Sequence, residues 1–152
     1  MKKIIKEYGA TLAIIIVVVL INLFVISPVK VSGSSMAPTL SDEQYMYQLK
    51  MEKIKRLDIV TFHAPDEGKV YIKRVIGLPG DVIEYHKGDM SVNGQKLTED
   101  YILEASAEEY HVTVPEDHYF VLGDNRNDST DSRIIGCVPK SSIIGIAHAI
   151  EL

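Results

Sequence analysis

A serine hydroxyl, a lysine amine and a run of carboxylates, guanidinium groups and hydroxyls stand at three separate places in this chain. Together they could perform nucleophilic chemistry. The first place reads Val31-Ser32-Gly33-Ser34-Ser35-Met36-Ala37-Pro38-Thr39-Leu40, without a charge. Gly33 permits a close backbone approach, and Pro38 fixes its own φ while biasing Ala37 toward an extended conformation. A backbone bent that way can present one hydroxyl and one free N–H to a substrate carbonyl. A Ser/Gly tether is the plainer alternative.

A serine is a poor nucleophile until a base removes its proton. His63, His86, His111, His118 and His148 stand in no recognisable triad context. Lys73 lies in Val70-Tyr71-Ile72-Lys73-Arg74-Val75-Ile76-Gly77. Strand alternation puts Tyr71, Lys73 and Val75 on one face and Ile72, Arg74 and Ile76 on the other. One cation is then expected in water and one against the packed side. If Lys73 is the inward one, desolvation lowers its pKa from ~10.4 and supplies a neutral amine. A shift of about three units costs roughly 4 kcal/mol, so the site needs burial and an orienting acceptor. An ordinary Lys-Arg pair on a half-exposed strand is the alternative. The third place is Gly123-Asp124-Asn125-Arg126-Asn127-Asp128-Ser129-Thr130-Asp131-Ser132-Arg133. It reads either as a solvated turn or as a network that fixes a buried amine. A calcium loop fails on spacing and lacks a closing Glu.

These groups need elements to hold them. Lys2, Lys3 and Lys6 precede an apolar run over 9–26 that only Thr11 and Asn22 interrupt. About 18 residues at ~1.5 Å each give roughly 27 Å, near the thickness of a bilayer's hydrocarbon. Ser27-Pro28 is expected to end that helix. A cleaved secretory signal would share the basic start, but the apolar run is longer than usual and no Ala-x-Ala follows. The reading is a cytoplasmic N-terminus over 1–8, a transmembrane anchor over 9–27 and an extracytoplasmic domain over 28–152. The lysines set that orientation, and Asn22 is a tolerated polar residue near the outer end. Beyond Leu40, period-two apolar runs separated by Gly, Pro, Asn and Asp predict strands over 44–49, 58–63, 70–77, 81–86, 89–92, 95–97, 110–114, 119–122 and 143–151. Asn93-Gly94 marks a hairpin. Pro38, Pro65, Pro79, Pro115 and Pro139 fall between runs, and 101–107 is expected to form a short helical turn. The fold class is mostly β, an antiparallel sheet domain behind one N-terminal transmembrane helix.

The 152 residues allow one domain plus an appendage. A net charge of −5 argues against a nucleic-acid partner. Cys137, the lone cysteine, excludes an internal disulfide and reads as a small buried residue. No Cys/His cluster has zinc spacing.

Taken together, the three stretches resemble type I signal peptidases, membrane-anchored Ser/Lys proteases that remove signal peptides from exported proteins. The motifs Ser35-Met36-x-Pro38-Thr39-Leu40, Tyr71-x-Lys73-Arg74-Val75-x-Gly77-x-Pro79-Gly80-Asp81 and Gly123-Asp124-Asn125-Arg126-x-x-Ser129-x-Asp131-Ser132-Arg133 stand in the family's order. With the anchor, the resemblance spans nearly the whole chain. It implies Ser35 as nucleophile, Lys73 as general base and Ser129 as the hydroxyl that orients the lysine. It also implies an Asp131–Arg133 pair, an Asp124–Arg74 pair and the Ser35 N–H as an oxyanion donor. Val31, Met36 and Ile72 match positions lining small hydrophobic substrate pockets. The implied partners are signal-peptide-bearing pre-proteins and the lipid bilayer, with no cofactor and no metal. Two departures stand out. Gly33 occupies the place where some members carry a second oxyanion-donating serine, and this glycine resembles the pattern of Gram-positive members, so another N–H or a water is expected there. Leu57-Asp58-Ile59-Val60 replaces a Gly-Asp-Ile-Val turn. A self-cleaving Ser/Lys protease of the SOS-repressor type would need a DNA-binding domain instead of an anchor. A catalytically silent, membrane-tethered β-domain that binds exported proteins would have little reason to hold the three stretches together.

Overall fold

The computed structural model describes residues 2–65 and 68–150, with side chains from residue 8 onward. The chain starts with helix α1 (Lys2–Phe24) and turns at once into strand β1 (Ile26–Lys30). Strands β2 (Tyr45–Leu49), β3 (Ile59–His63), β4 (Val70–Gly77), β5 (Val82–His86), β6 (Asp89–Val92), β7 (Gln95–Lys96), β8 (Tyr110–Thr113) and β9 (His118–Leu122) follow. The one-turn helix α2 (Ser132–Ile135), β10 (Val138–Pro139) and β11 (Ile143–Ala149) close the order. A seven-stranded sheet runs β1-β2-β11-β3-β4-β9-β10, and a four-stranded sheet runs β7-β6-β5-β8. The paired strands of both sheets are antiparallel. The chain is thus mostly β, as the period-two runs indicate. The end of the last predicted strand, Glu151, lies outside the described residues, as do the side chains of Lys2, Lys3 and Lys6.

Three expectations need correction. The helix stops at Phe24, before Ser27-Pro28, because 26–30 is recruited as an edge strand paired with β2. Pro28 and Pro139 therefore lie inside strands, but on the two outermost strands of the large sheet, where a missing N–H breaks no ladder. Residues 101–107 form turns and bends instead of a helix. The Tyr85 hydroxyl takes up part of that backbone, donating to the Ser106 carbonyl at 3.2 Å.

The described side chains of α1, 8–24, are apolar and exposed save at a few positions, with Leu12, Ile14 and Phe24 about 60% accessible. The Asn22 amide is satisfied within the helix, donating to the Val18 carbonyl at 3.1 Å. Among the described residues, no helix is long and apolar enough to cross a membrane.

β4 is covered on both faces. Val75 packs with Val60, Phe62 and Val121. Ile76 packs with Ile83, Phe120 and Leu122, and Ile72 with Val31, Met36 and Met46. Any polar side chain on β4 must therefore find its partner inside the protein.

Candidate active site

Both cations of β4 are buried, Lys73 at 4% exposure and Arg74 at 9%. This corrects the expectation that one would lie in water, and the reason is the covered sheet. The strand's alternation still separates them. Arg74 is neutralised by Asp124, donating from Nε to Oδ1 at 2.8 Å and from Nη2 to Oδ2 at 2.6 Å. It also donates to the Leu57 carbonyl at 3.0 Å and stacks over the Tyr101 ring at 4.2 Å.

Among the described residues, Lys73 has no carboxylate of its own. Its Nζ lies 2.8 Å from Ser35 Oγ and donates to the Ile72 carbonyl at 2.9 Å. Burial pushes the amine down to about 8, against a smaller upward pull from Asp131 and Asp124. That pull stays small because each acid already holds a guanidinium. Arg133 donates to Asp131 from Nε at 2.8 Å and from Nη2 at 2.9 Å. The pairs Asp124–Arg74 and Asp131–Arg133 thus leave a desolvated amine beside a hydroxyl and free to lose its proton.

The loop that carries Ser35 is held from several sides. The Gly33 N–H donates to Asp42 Oδ1 at 2.8 Å, and the Ser34 hydroxyl to Asp128 Oδ2 at 2.5 Å. Asn125 donates from its backbone to the Ser35 carbonyl at 3.1 Å and from its side chain to the Ser34 carbonyl at 3.3 Å. Among the described residues, the Ser35 N–H has no acceptor. Gly33 has φ +89° with open space where a Cβ would stand.

Asp131 is fully buried and organises the polar run. It accepts from the Gly123 N–H at 3.0 Å and from the Arg133 N–H at 3.3 Å, capping α2. Among the described residues, the buried Ser129 Oγ has no hydrogen-bond partner, and the expected bond from Ser129 to Lys73 is not formed. The amine already contacts Ser35 and the Ile72 carbonyl. Ser129 nonetheless lines the same cleft, of about 390 Å³, as Ser35, Lys73 and Ile72. Val31 and Met36 do not line it; at 2% and 1% exposure they pack against Ile72 in the core below.

Sequence reasoning missed Glu99. Its carboxylate takes the buried Arg126 guanidinium at 2.5 and 3.1 Å, and so ties the loop before β8 to the polar run. Arg126 stands inside a motif, but nothing near Glu99 marks it. Cys137 packs half-buried against the core, and burial raises its thiol pKa. Among the described residues, no group of His, Cys, Asp and Glu is arranged to hold a metal ion.

The chain matches the family described as "Signal peptidase, peptidase S26" over residues 2–151. It is similar to signal peptidase I P of Bacillus subtilis subsp. natto, 36% identical over 157 residues that cover 93% of this chain and 85% of that protein. It is likewise similar to a signal peptidase I of Streptococcus pneumoniae, 32% identical over 187 residues covering 96% and 92% of the two chains. The crystal structure of a signal peptidase I from Enterococcus faecalis V583 superposes with a TM-score of 0.59 at 38% identity, covering 62% of this chain and 97% of that one.

Proposed function

The chain belongs to the signal peptidase, peptidase S26 family, and we propose that Ser35 and Lys73 are the catalytic pair with which it cuts. It is a serine endopeptidase that removes N-terminal signal peptides from pre-proteins. One observation carries the assignment of the pair: a buried lysine amine with a lowered pKa, 2.8 Å from a serine hydroxyl in an open cleft.

In this reading Lys73, as the neutral amine, takes the Ser35 proton while Ser35 Oγ attacks the scissile carbonyl. The unclaimed Ser35 N–H receives the developing oxyanion. Lys73 then returns the proton to the leaving amine, and water resolves the acyl-enzyme by the same base. Ser129, a hydroxyl in the same cleft that bonds no described group, is free to take up a partner as the proton is exchanged. Asp131, Arg133, Arg74 and Asp124 keep their charges paired with one another and away from Lys73. Ile72 forms the apolar wall for small substrate side chains, with Val31 and Met36 setting its position from beneath.

We further infer that α1 anchors the enzyme in a lipid bilayer, with the cleft on the extracytoplasmic face. The apolar part of α1, 9–24, runs about 24 Å at ~1.5 Å per residue, short of a full span by itself, and Val25 and Ile26 continue the apolar run beyond the helix. The exposed apolar side chains of 8–24 and the lysines before them support that placement. A bilayer shared with the pre-protein would raise the effective concentration of the scissile bond. A silent binding domain would not need a desolvated amine beside a hydroxyl.

The test sets Ser35→Ala and Lys73→Ala beside the wild-type chain on one precursor, with folding checked by circular dichroism. A discrete cut after a small residue, lost in both folded variants, is the expected result. Cleavage that survives in either variant would overturn the assignment.

A further inference from the structure

The passage from α1 into the sheet is built as a stiff joint. The helix ends at Phe24 and β1 starts at Ile26, so only Val25 lies between them. A helix end leaves carbonyls without partners. Here Lys50, the residue after β2, supplies them. Its Nζ donates to the carbonyls of Asn22 at 3.1 Å and Leu23 at 2.9 Å, and its own N–H donates to the Val25 carbonyl at 3.0 Å. A cation is also favoured there by the helix dipole.

The next residues are held as firmly. Ile26 pairs with Leu49. Ser27 Oγ accepts from the Gln48 amide at 2.9 Å, and that amide's oxygen accepts from the buried Thr61 hydroxyl on β3. From the last helical turn, β1 then runs about 16 Å at ~3.3 Å per residue to Lys30, which lines the cleft. A Ser/Gly tether would leave the cleft free to wander over the membrane. This joint has no such slack.

We propose that Lys50 is a positioning residue that locks the α1–β1 joint and so fixes the height of the cleft above the lipid. Scissile bonds are then selected by their distance from the substrate's own apolar segment. The inference rests on the reading of α1 as a membrane anchor. Lys50 does not line the cleft and acts only through the joint.

The experiment places the full chain in vesicles of phosphatidylcholine and phosphatidylglycerol and checks flotation on a density gradient. Precursors inserted in the same vesicles carry a spacer between apolar segment and scissile bond, lengthened one residue at a time. A short soluble peptide in detergent serves as the reference substrate. The wild-type enzyme is expected to float and to show a sharp optimum at one spacer length. Lys50→Ala should float and cut the soluble peptide at the wild-type rate. Its preference for the best spacer over the next should fall by about fivefold, the factor that corresponds to roughly 1 kcal/mol for a cation at a helix end. Lys50→Arg should restore the optimum. A floating Lys50→Ala enzyme with the wild-type spacer profile would overturn the positioning role and leave the anchor standing. A wild-type chain that does not float would overturn the anchor and the joint together. Loss of soluble-peptide cleavage in a folded Lys50→Ala variant would show action on the site itself and also overturn the role.

Discussion

Replacing Gly123 by alanine should damage the active site more than the fold. An added Cβ would stand 2.2 Å from Ser129 Oγ, 2.6 Å from Ser129 Cβ and 2.6 Å from the Ser35 carbonyl oxygen. The Ser129 hydroxyl can rotate away. The Ser35 carbonyl cannot, because it is backbone and already accepts from the Asn125 N–H. Ordinary contact begins at 3.4 Å, so the carbonyl must retreat by about 0.8 Å, the difference from 2.6 Å. Ser35 Oγ, now 2.8 Å from Lys73 Nζ, would move out of hydrogen-bond reach. Overpacking of this kind costs about 1–3 kcal/mol of stability. A ~1 Å misplacement of a reacting group costs about 10²-fold in rate. The assay is kcat/KM on a soluble peptide, with a urea melt of the same sample. The expected result is a folded Gly123→Ala enzyme with activity down about 10²-fold. Ser129→Gly in the same chain should not rescue it, since the clash with Ser35 remains. A Gly123→Ala enzyme as active as the wild-type enzyme, or one rescued by Ser129→Gly, would refute the argument.

The buried charges lead to two further expectations. Lys73 holds its proton less tightly in the folded chain, at about 8 against an ordinary 10.5. The unfolded chain binds more protons between those values, so stability should rise with pH across that window and carry the full penalty below it. Lys73→Met should therefore be inactive yet more stable at pH 7 by at most about 3 kcal/mol, with the gain vanishing above the window. Urea melts at both ends of that range test this, and a variant less stable at pH 7 would contradict it. Asp124→Ala strands the buried Arg74 guanidinium and should destabilise by about 3–5 kcal/mol in a denaturant melt. Adding Arg74→Met should recover part of that loss, whereas additive losses would show that the pair is not the cause.

Much of the fold could be read from residue order. The strands carry period-two apolar patterns, and Asn93-Gly94 takes φ of +54° and +74°, the positive pair that a two-residue hairpin turn requires. β1 was hidden because its Ile and Val continue the apolar run of the helix and its Pro28 argues against a ladder. Only its place at the sheet edge reconciles these. β10 is too short to carry a period. The candidate site was legible as a candidate through Ser35, Lys73 and the polar run, but burial of both β4 cations was not. Whether a strand is covered on one face or two depends on elements distant in sequence. Glu99 shows the same limit: an acid in an irregular loop reveals its role only through the Arg126 it meets.

The pH dependence of kcat/KM on a soluble peptide tests the central claim most directly, since it reports groups that titrate in the free enzyme. Activity should climb as the Lys73 amine loses its proton and level off above about 8. An inflection near ~6.5, where an unperturbed histidine titrates, or a rise deferred to ~10.4, where an exposed lysine does, would contradict the account.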